Sequence, residues 1–538
     1  MKNATAFSIL QNPRKNKGTA FTPAERRKYG LGGILPDAVE TIETQILRVT
    51  EQLESLELPI DKYIYLNGLL DSNETLFYRT ITSDPAKFLP LVYTPTVGEA
   101  CERLGHIARR PRGLFLSIRN KKHIAKLLRN WPIEDVRFIV VTDGQRILGL
   151  GDLGIGGIGI SIGKLTLYTS CAGVPPEHTL PIVLDVGTDN EKLRNDPLYP
   201  GLKQPRVTGK EYDGFVDAFV KAAVGVFPRV CIQWEDFAGG NAIRILERYR
   251  GRVCTFNDDI QGTAGIAVAG FIAVSRVLGR PFKEQRFLFL GAGAAAFGIA
   301  DMIVKKFERD GLTRGEALGR ISMFDVNGLL VSSRSDLTDH QKLFAHDGPP
   351  SSDFAECVLR LRPTAIVGVS TVGGAFTRQV IENMSAVNER PVIFPFSNPT
   401  SRSECTAEQA YTWSKGKAIF ASGSPFAPVT LDGKTFTPGQ GNNVFIFPAM
   451  GLAVFATEAT RVTDEMFLIA AEAVSEHVTE ENFARGLIYP PVKDIREVSV
   501  SVAVTIAEAI FRSGLAGVKR PKDVRRFIEK KMYRPAYR

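Results

Sequence analysis

No stretch narrows the range of possible folds more than residues 286–296, Arg-Phe-Leu-Phe-Leu-Gly-Ala-Gly-Ala-Ala-Ala. Arg286–Leu290 has the length and apolar bulk of a buried strand. It runs straight into Gly291-Ala292-Gly293-Ala294, and apolar residues at helical spacing follow over Ala296–Phe307. Strand, Gly-x-Gly-x-x-Ala and helix in that order make a turn that seats a dinucleotide. Gly291 permits the tight turn, Gly293 lets the backbone approach a pyrophosphate, and Ala296 allows the helix to pack closely. The helix N-terminus then offers N–H groups and a positive dipole end to the phosphates. Ile321–Asp325 supplies a further strand ending in an acid, which places Asp325 to accept from a ribose 2′-hydroxyl. Asp325 lies 34 residues beyond Gly291, against about 20 in the simplest pattern, so a longer crossover is expected. An acid here favours NAD because it repels a 2′-phosphate, although Lys342 further along can reach such a phosphate.

The alternation of short apolar strands with helices extends in both directions and implies parallel sheets with helices on their faces. Upstream, Arg137–Thr142, Pro181–Asp185 and Arg229–Gln233 read as strands and Tyr212–Val226 as a covering helix. Downstream, Thr364–Val369 and Pro391–Pro395 add two more strands. Residues 37–130 look largely helical, with near-3.6 apolar spacing over Asp37–Leu56 and a second run around Lys121–Arg129. At 538 residues the chain exceeds what one core supports. The expected class is therefore α/β. A helical N-terminal segment leads into a parallel-sheet catalytic domain and a Rossmann-like dinucleotide-binding domain, and C-terminal helices from Asp464 onward pack back on the body. The seam is expected near Phe256–Gln261, dividing the chain into 1–257 and 258–538.

Composition excludes several other classes. With 44% apolar and 23% charged residues, the chain is neither disordered nor fibrous. Val444–Ala456 is the longest apolar run noted; it carries Pro448 and Gly451, and it reads as core rather than a membrane span. Lys2, Arg14, Lys15 and Lys17 precede the first acid, Glu25, but no apolar stretch or cleavage pattern of a targeting peptide follows. Cys101, Cys171, Cys231, Cys254, Cys357 and Cys405 show no CxxC pair, which suits reduced thiols and a cytoplasmic location. The net charge of +9 is concentrated at the end, where Lys519–Arg538 holds nine Lys/Arg against Asp523 and Glu529. This tail is expected to be a solvated or subunit-contacting surface, with neither nucleic acid nor membrane as a partner.

Three short segments carry groups able to do chemistry. Glu235-Asp236 follows the strand ending at Gln233-Trp234, Asn257-Asp258-Asp259 follows the strand Arg252–Phe256, and Lys164 follows a glycine-rich stretch, Gly149–Gly163. Carboxylates at strand C-termini face the crevice where open α/β sheets bind ligands. Acid pairs held there repel one another unless a cation neutralises them, and all-oxygen ligation suits Mg²⁺ or Mn²⁺. Tyr93, Arg146, Asn398 and Asn442-Asn443 sit in further loops, where each on its own is ordinary packing or turn chemistry.

Taken together, the blocks resemble the malic enzyme family over nearly the whole chain, from Asn16–Thr22 to Tyr489–Pro491. The matching blocks include Tyr93–Gly98, Val141–Gly154, Gly163-Lys164-Leu165, Asp185–Asn190, Glu235–Phe237, Thr255–Thr263, Gly291–Gly293, Ser397–Thr400, Ala421–Phe426 and Gly439–Asn443. The resemblance implies oxidation and decarboxylation of L-malate to pyruvate and CO₂ with NAD, or NADP, as hydride acceptor. It also implies decarboxylation of oxaloacetate and a homodimeric or homotetrameric assembly. By position, Lys164 matches the family's general base, Tyr93 its general acid, and Asp258 the acid that pairs with the lysine. Glu235, Asp236 and Asp259 match the ligands of Mg²⁺ or Mn²⁺, and Arg146, Asn398 and Asn442, with Asn443 adjacent, match residues that hold malate. Ala294 stands where the family often has glutamate. An enzyme that retains its cofactor and releases lactate uses the same scaffold.

Overall fold

The fold is taken from a computed structural model that describes residues 6–398 and 400–538; Lys2 lies outside the described residues. The chain divides into two units, Met1–Asp236 with Glu529–Arg538, and Phe237–Ile528. The division falls after Asp236, earlier than the expected 257/258 seam. Residues 237–257 bond to the later part of the chain: the Arg250 guanidinium pairs with Asp464, and the Phe256 ring meets Phe467 edge-on with centroids 5.6 Å apart.

In the first unit, helices Ile42–Glu54, Pro59–Ser72, Glu74–Ser83 and Pro85–Val92 precede a parallel sheet. Its strands β1 (Leu114–Ser117), β2 (Phe138–Thr142), β3 (Thr179–Asp185) and β4 (Cys231–Trp234) lie in the order β1-β3-β2-β4. Strands β2, β3 and β4 are buried at every residue, which is why they read as continuous apolar runs rather than alternating ones. The edge strand β1 interrupts the stretch expected to be helical. It is only four residues long and partly exposed, so its pattern is too short to distinguish from a helix turn.

Helix Ile158–Ala172 carries apolar residues on all sides and is buried along nearly its whole length; Gly173, at φ +73°, closes it in the left-handed conformation. Arg206 locks the loops at the carboxyl ends of β2 and β3. Its guanidinium meets Asp143 Oδ2 at 3.0 Å, Asp152 Oδ1 at 3.1 Å and the Asp143 carbonyl at 2.9 Å. Burial alone would lower the pKa of Arg206, but the charges of Asp143 and Asp152 raise it above its ordinary value.

The basic C-terminal segment presents a solvated surface, as expected, while its apolar and aromatic residues are anchored. All nine of its Lys/Arg are exposed, yet Val524 and Ile528 are buried. Tyr533 N donates to the Gly173 carbonyl at 2.6 Å, and Tyr537 bridges Gln45 and Asn73 at 2.6 and 2.8 Å. Aromatic and backbone groups therefore pin the strap to the N-terminal helices, while its charges point to water.

The second unit opens with helix Gly239–Tyr249, followed by β5 (Thr255–Asn257), and contains a larger sheet. Its strands are β6 (Phe287–Leu290), β7 (Ile321–Asp325), β8 (Gly328–Leu329), β9 (Ala365–Gly368), β10 (Val392–Pro395) and β11 (Ile419–Ser422). A hairpin of β12 (Val429–Leu431) and β13 (Lys434–Phe436) follows, and β14 (Gly439–Gln440) rejoins the sheet. The order is β14-β11-β10-β9-β6-β7-β8, all parallel except β8, which runs against β7.

Helices Thr263–Leu278, Phe447–Thr457, Asp464–Glu476 and Ile495–Arg512 pack together on this unit. Among the described residues, the segment Asp258–Leu278, rather than Val444–Ala456, is the one long and apolar enough to cross a membrane by length and composition. It is 72% buried within the protein, as a core helix is. All six cysteines are buried thiols outside any disulfide.

Arg206→Met should lower stability by about 3–5 kcal/mol, because it strands the buried Asp143 carboxylate. The urea midpoint of the first unfolding transition measures this; a midpoint equal to wild type would mean that Asp143 finds other compensation.

Candidate active site

In the first unit, the carboxyl end of β4, the helix Ile158–Ala172 and the end of helix Pro85–Val92 bring three candidate side chains together. Lys164 Nζ lies 2.8 Å from Glu235 Oε1, and both side chains are almost fully buried. Glu235 Oε2 accepts from Gln233 Nε2 at 2.7 Å, and Gln233 Oε1 in turn accepts from the Tyr168 hydroxyl at 2.5 Å. A chain of donors thus fixes the Glu235 carboxylate from below while its other oxygen faces the lysine. Tyr93, at the end of helix Pro85–Val92, lies beside them, with Lys164 Nζ 5.6 Å from its ring centroid.

Gly163 explains the closeness of that approach, since a Cβ there would sit 2.8 Å from Tyr93 Cδ2. Asp236 adopts φ +57°, a left-handed conformation that aspartate tolerates better than most residues, so the chain turns sharply at the acid pair. The backbone N–H of Arg146 donates to the Asp236 carbonyl at 3.1 Å and holds that turn. The Arg146 side chain is exposed on the loop after β2.

In the second unit, β5 runs into a single π-helical turn, Asp258–Gly262, before the core helix. Such a turn is rare and is found most often at functional sites. Asn257 caps it by accepting from Ile260 N at 2.9 Å, and Gln261 Oε1 accepts from Asn257 N at 3.0 Å. Asn443 Nδ2 reaches the Asp258 carboxylate, the Asp258 carbonyl at 3.3 Å and Thr263 Oγ1 at 3.1 Å. Gly262 is required here, because a Cβ would lie 1.9 Å from Asp258 Oδ1. Within this unit Asp258 is gripped by Asn443, and within the first unit Lys164 faces Glu235.

Strands β10, β11 and β14 are neighbours and end on the same side, which places Asn398 and Asn442 along one edge of the sheet. Asn398 Oδ1 accepts from Ser424 Oγ at 2.6 Å, and Asn442 Oδ1 caps the turn that follows by accepting from Val444 N at 3.0 Å. The glycine turn lies at the end of β6. Gly291 has φ +118°, and a Cβ on it would meet the Val369 carbonyl at 2.6 Å. Gly293 precedes helix Ala294–Arg309, and the space where its Cβ would stand is open, as a phosphate-facing helix start requires. Ala296 is buried.

Comparison with known proteins agrees with this geometry. The family model "Malic enzyme, N-terminal domain" matches residues 70–250, and "Malic enzyme, NAD binding domain" matches residues 260–511. A mouse protein named "NADP-dependent malic enzyme, mitochondrial" is 48% identical over 534 residues, covering 99% of this chain and 88% of its own. A Phaseolus vulgaris "NADP-dependent malic enzyme" is 48% identical over 541 residues, covering 99% and 92%. The chain belongs to the malic enzyme family.

Among solved structures, malic enzyme from Pyrococcus horikoshii superposes with a TM-score of 0.56 at 25% identity, covering 82% of this chain and 87% of that one. The Entamoeba histolytica malic enzyme, at TM-score 0.58 and 21% identity over 94% and 91% of the two chains, shares the fold.

Within this chain the structure adds partners that motif reading did not supply. Asp325 is held by a forked pair from Arg334, at 2.9 and 2.8 Å, and by Gln341 Nε2 at 3.4 Å. Arg334 also bonds Asp336 at 2.9 and 2.6 Å. Hydrogen bonds first to Asp336 and then to Asp325 hold the guanidinium above its ordinary pKa, and Arg334 holds Asp336 well below the usual carboxylate range. Lys342, the candidate phosphate partner, instead pairs with Asp339 at 2.8 Å on an exposed helix face. Arg334 lies nine residues beyond Asp325 in an irregular segment with no motif to mark it. Its arginine type, matched to a carboxylate pair, was the only available signal.

Proposed function

We propose that this protein oxidises and decarboxylates L-malate to pyruvate and CO₂, reducing NAD(P)⁺ in the presence of Mg²⁺ or Mn²⁺. The observation that carries the reading is the buried Lys164–Glu235 pair beside the Tyr93 ring: a base, a carboxylate and an acid gathered in a space shielded from water. The carboxylates Glu235, Asp236 and Asp259 form a hard-oxygen donor set suited to one divalent cation. A cation held there would polarise the 2-hydroxyl of malate and later the C2 carbonyl, serving as Lewis acid and electron sink. The nicotinamide of the dinucleotide, seated over Gly291–Gly293, would take the hydride from C2.

Lys164 in its neutral form takes the hydroxyl proton as the hydride leaves, and Asp258 orients the ammonium that results. Arg146 pairs with a malate carboxylate, and Asn398 and Asn442 hold the remaining oxygens, with Asn443 steadying Asp258. After loss of CO₂ from the oxaloacetate intermediate, Tyr93 delivers a proton to C3 of enolpyruvate. Oxaloacetate supplied from outside enters the same path at its second step. The proposal includes a homodimer or homotetramer in the cytoplasm, to which six reduced, buried thiols are suited.

The direct test is malate oxidation with each dinucleotide, with and without Mn²⁺. Cofactor appearing as free NADH or NADPH distinguishes this reaction from one that retains the cofactor and yields lactate. Asp259→Ala should fold normally and lose Mn²⁺-dependent malate oxidation, since two carboxylates hold the cation too weakly against water. Near-normal turnover would remove Asp259 from the site.

On cofactor choice, the proposal is that NAD has the higher kcat/KM. The Asp325 carboxylate repels a 2′-phosphate, and Arg334 is already shared between Asp325 and Asp336. Asp325→Ser should narrow the difference between the two cofactors. A wild-type preference for NADP, as in the names of the mouse and bean relatives, would mean that Arg334 turns to the phosphate instead.

Lys164 and Tyr93 should fail at different steps. Lys164→Ala should slow hydride transfer by roughly 10²–10⁴-fold, the span for losing a positioned acid or base. Tyr93→Phe keeps the ring and should spare oxidation, but it should release enolpyruvate that ketonises in solution, so deuterium from solvent enters C3 without stereochemical preference. Blocked hydride transfer in Tyr93→Phe with normal transfer in Lys164→Ala would reverse the roles.

A further inference from the structure

Glu404 is a completely buried acid that the reaction above does not use. It follows the short turn Thr400–Arg402 and immediately precedes Cys405-Thr406, where the next helix is capped. One oxygen, Oε1, accepts from Ser370 N at 2.9 Å, Ser370 Oγ at 2.8 Å and Ser397 Oγ at 2.6 Å. The other, Oε2, faces Ser397 N at 3.4 Å. Gly368, the last residue of β9, makes room for it, since a Cβ there would lie 2.4 Å from the Glu404 carboxyl carbon. Among the described residues, these partners are N–H and O–H donors rather than a basic side chain. A carboxylate buried in this way is costly, and charge-assisted bonds from several donors are what offset the cost.

The location gives the arrangement its meaning. Ser370 begins the loop after β9, and Ser397 the loop after β10; the single carboxylate joins the two. Ser397 Oγ also accepts from Thr371 N at 2.9 Å, and Thr371 itself sits at φ +60°, a left-handed conformation that a β-branched residue rarely adopts. Ser370 Oγ accepts from Val372 N at 3.1 Å. The first loop supports the glycine turn: Val369 O and Ser370 N lie 2.6 and 3.1 Å from where a Gly291 side chain would stand. The second loop leads directly into Asn398. Glu404 thus sits beneath both the dinucleotide turn and the substrate asparagine, at the carboxyl ends of adjacent parallel strands, where such folds bind their ligands.

We propose that Glu404 is a positioning residue that sets the loops Ser370–Val372 and Ser397–Asn398 in the geometry that receives the dinucleotide and malate. The proposal rests on the malic enzyme reading for the identity of those ligands. An amide cannot do the same work. A glutamine at this place would present its NH₂ to a serine N–H or remove an acceptor from three donors, and one of the two loops would have to shift.

The test compares wild type, Glu404→Gln and Ser397→Ala in the full-length protein, by malate kinetics and by NADH binding followed through fluorescence without turnover. Glu404→Gln should raise both the NADH Kd and the malate KM, with kcat/KM for malate down by roughly 10–100-fold, as for loss of a group that orients binding residues. Ser397→Ala removes one hydroxyl and should shift the malate KM in the same direction by less. A merely structural role would lower the melting temperature and leave KM and Kd of the folded protein unchanged; that result in both variants would overturn the proposal. If Glu404→Gln does not fold, Ser397→Ala decides, and wild-type kinetics with wild-type NADH affinity in it would overturn the proposal. If wild type binds NADH but does not oxidise malate, the functional reading fails, and the NADH titration still decides whether Glu404 sets the dinucleotide loop.

Discussion

Lys164 and Glu235 meet 2.8 Å apart in a place that water does not reach. Withdrawing two charges from water costs several kcal/mol for each ion, and their mutual attraction offsets this only when the remaining hydrogen-bonding capacity is met. The surrounding structure meets it. Gln233 and Tyr168 complete the Glu235 side, each on an element already buried for other reasons, the strand β4 and the helix Ile158–Ala172. The glycine before Lys164 allows the Tyr93 ring to close the other side. The helix that carries the lysine must therefore be apolar all round, and the sheet beneath it must be covered on both faces. The architecture of the first unit follows from keeping this pair dry.

The second unit works on a different constraint. Its parallel strands deliver backbone and side-chain groups to a single edge, so several loops converge where ligands enter. Convergence crowds them, and glycines relieve the crowding at defined points: Gly291 against Val369, Gly262 against Asp258, and Gly368 against Glu404. Asn443 and Gln261 then brace the turn that presents Asp258 and Asp259. Precision at this edge comes from side-chain amides and one buried acid bonding to backbone groups, which is stiffer than loops left to themselves.

Much of this was legible in the residues alone. Strand ends were placed within two or three residues at β2, β3, β4, β6, β7, β9 and β10, because buried parallel strands are continuous apolar runs bounded by turn formers. The glycine turn and the helix after it were legible because a dinucleotide turn is written in consecutive residues. The family was legible because many separated blocks keep one order. The strands β1, β11 and β14 and the hairpin β12–β13 were not anticipated, being two to four residues each, too short for any periodicity to declare itself. The basic tail reads from its charges as a solvated surface, and its nine Lys/Arg are exposed; what charge does not reveal is that Tyr533 and Tyr537 decide where it lies.

The sequence by itself determined the class of fold, the family, and the identities of the groups able to do chemistry, since these depend on residue type and on spacing along the chain. Only the tertiary structure decided who partners whom. Asn443 reaches Asp258 across 185 positions, Arg206 reaches Asp152 across 54, and Glu404 joins loops that begin 34 and 7 residues before it. Hydrogen bonds and ion pairs act within about 3 Å and only along favourable directions. Which distant groups come that close depends on the path of the whole chain through its sheets, and no local preference records that path.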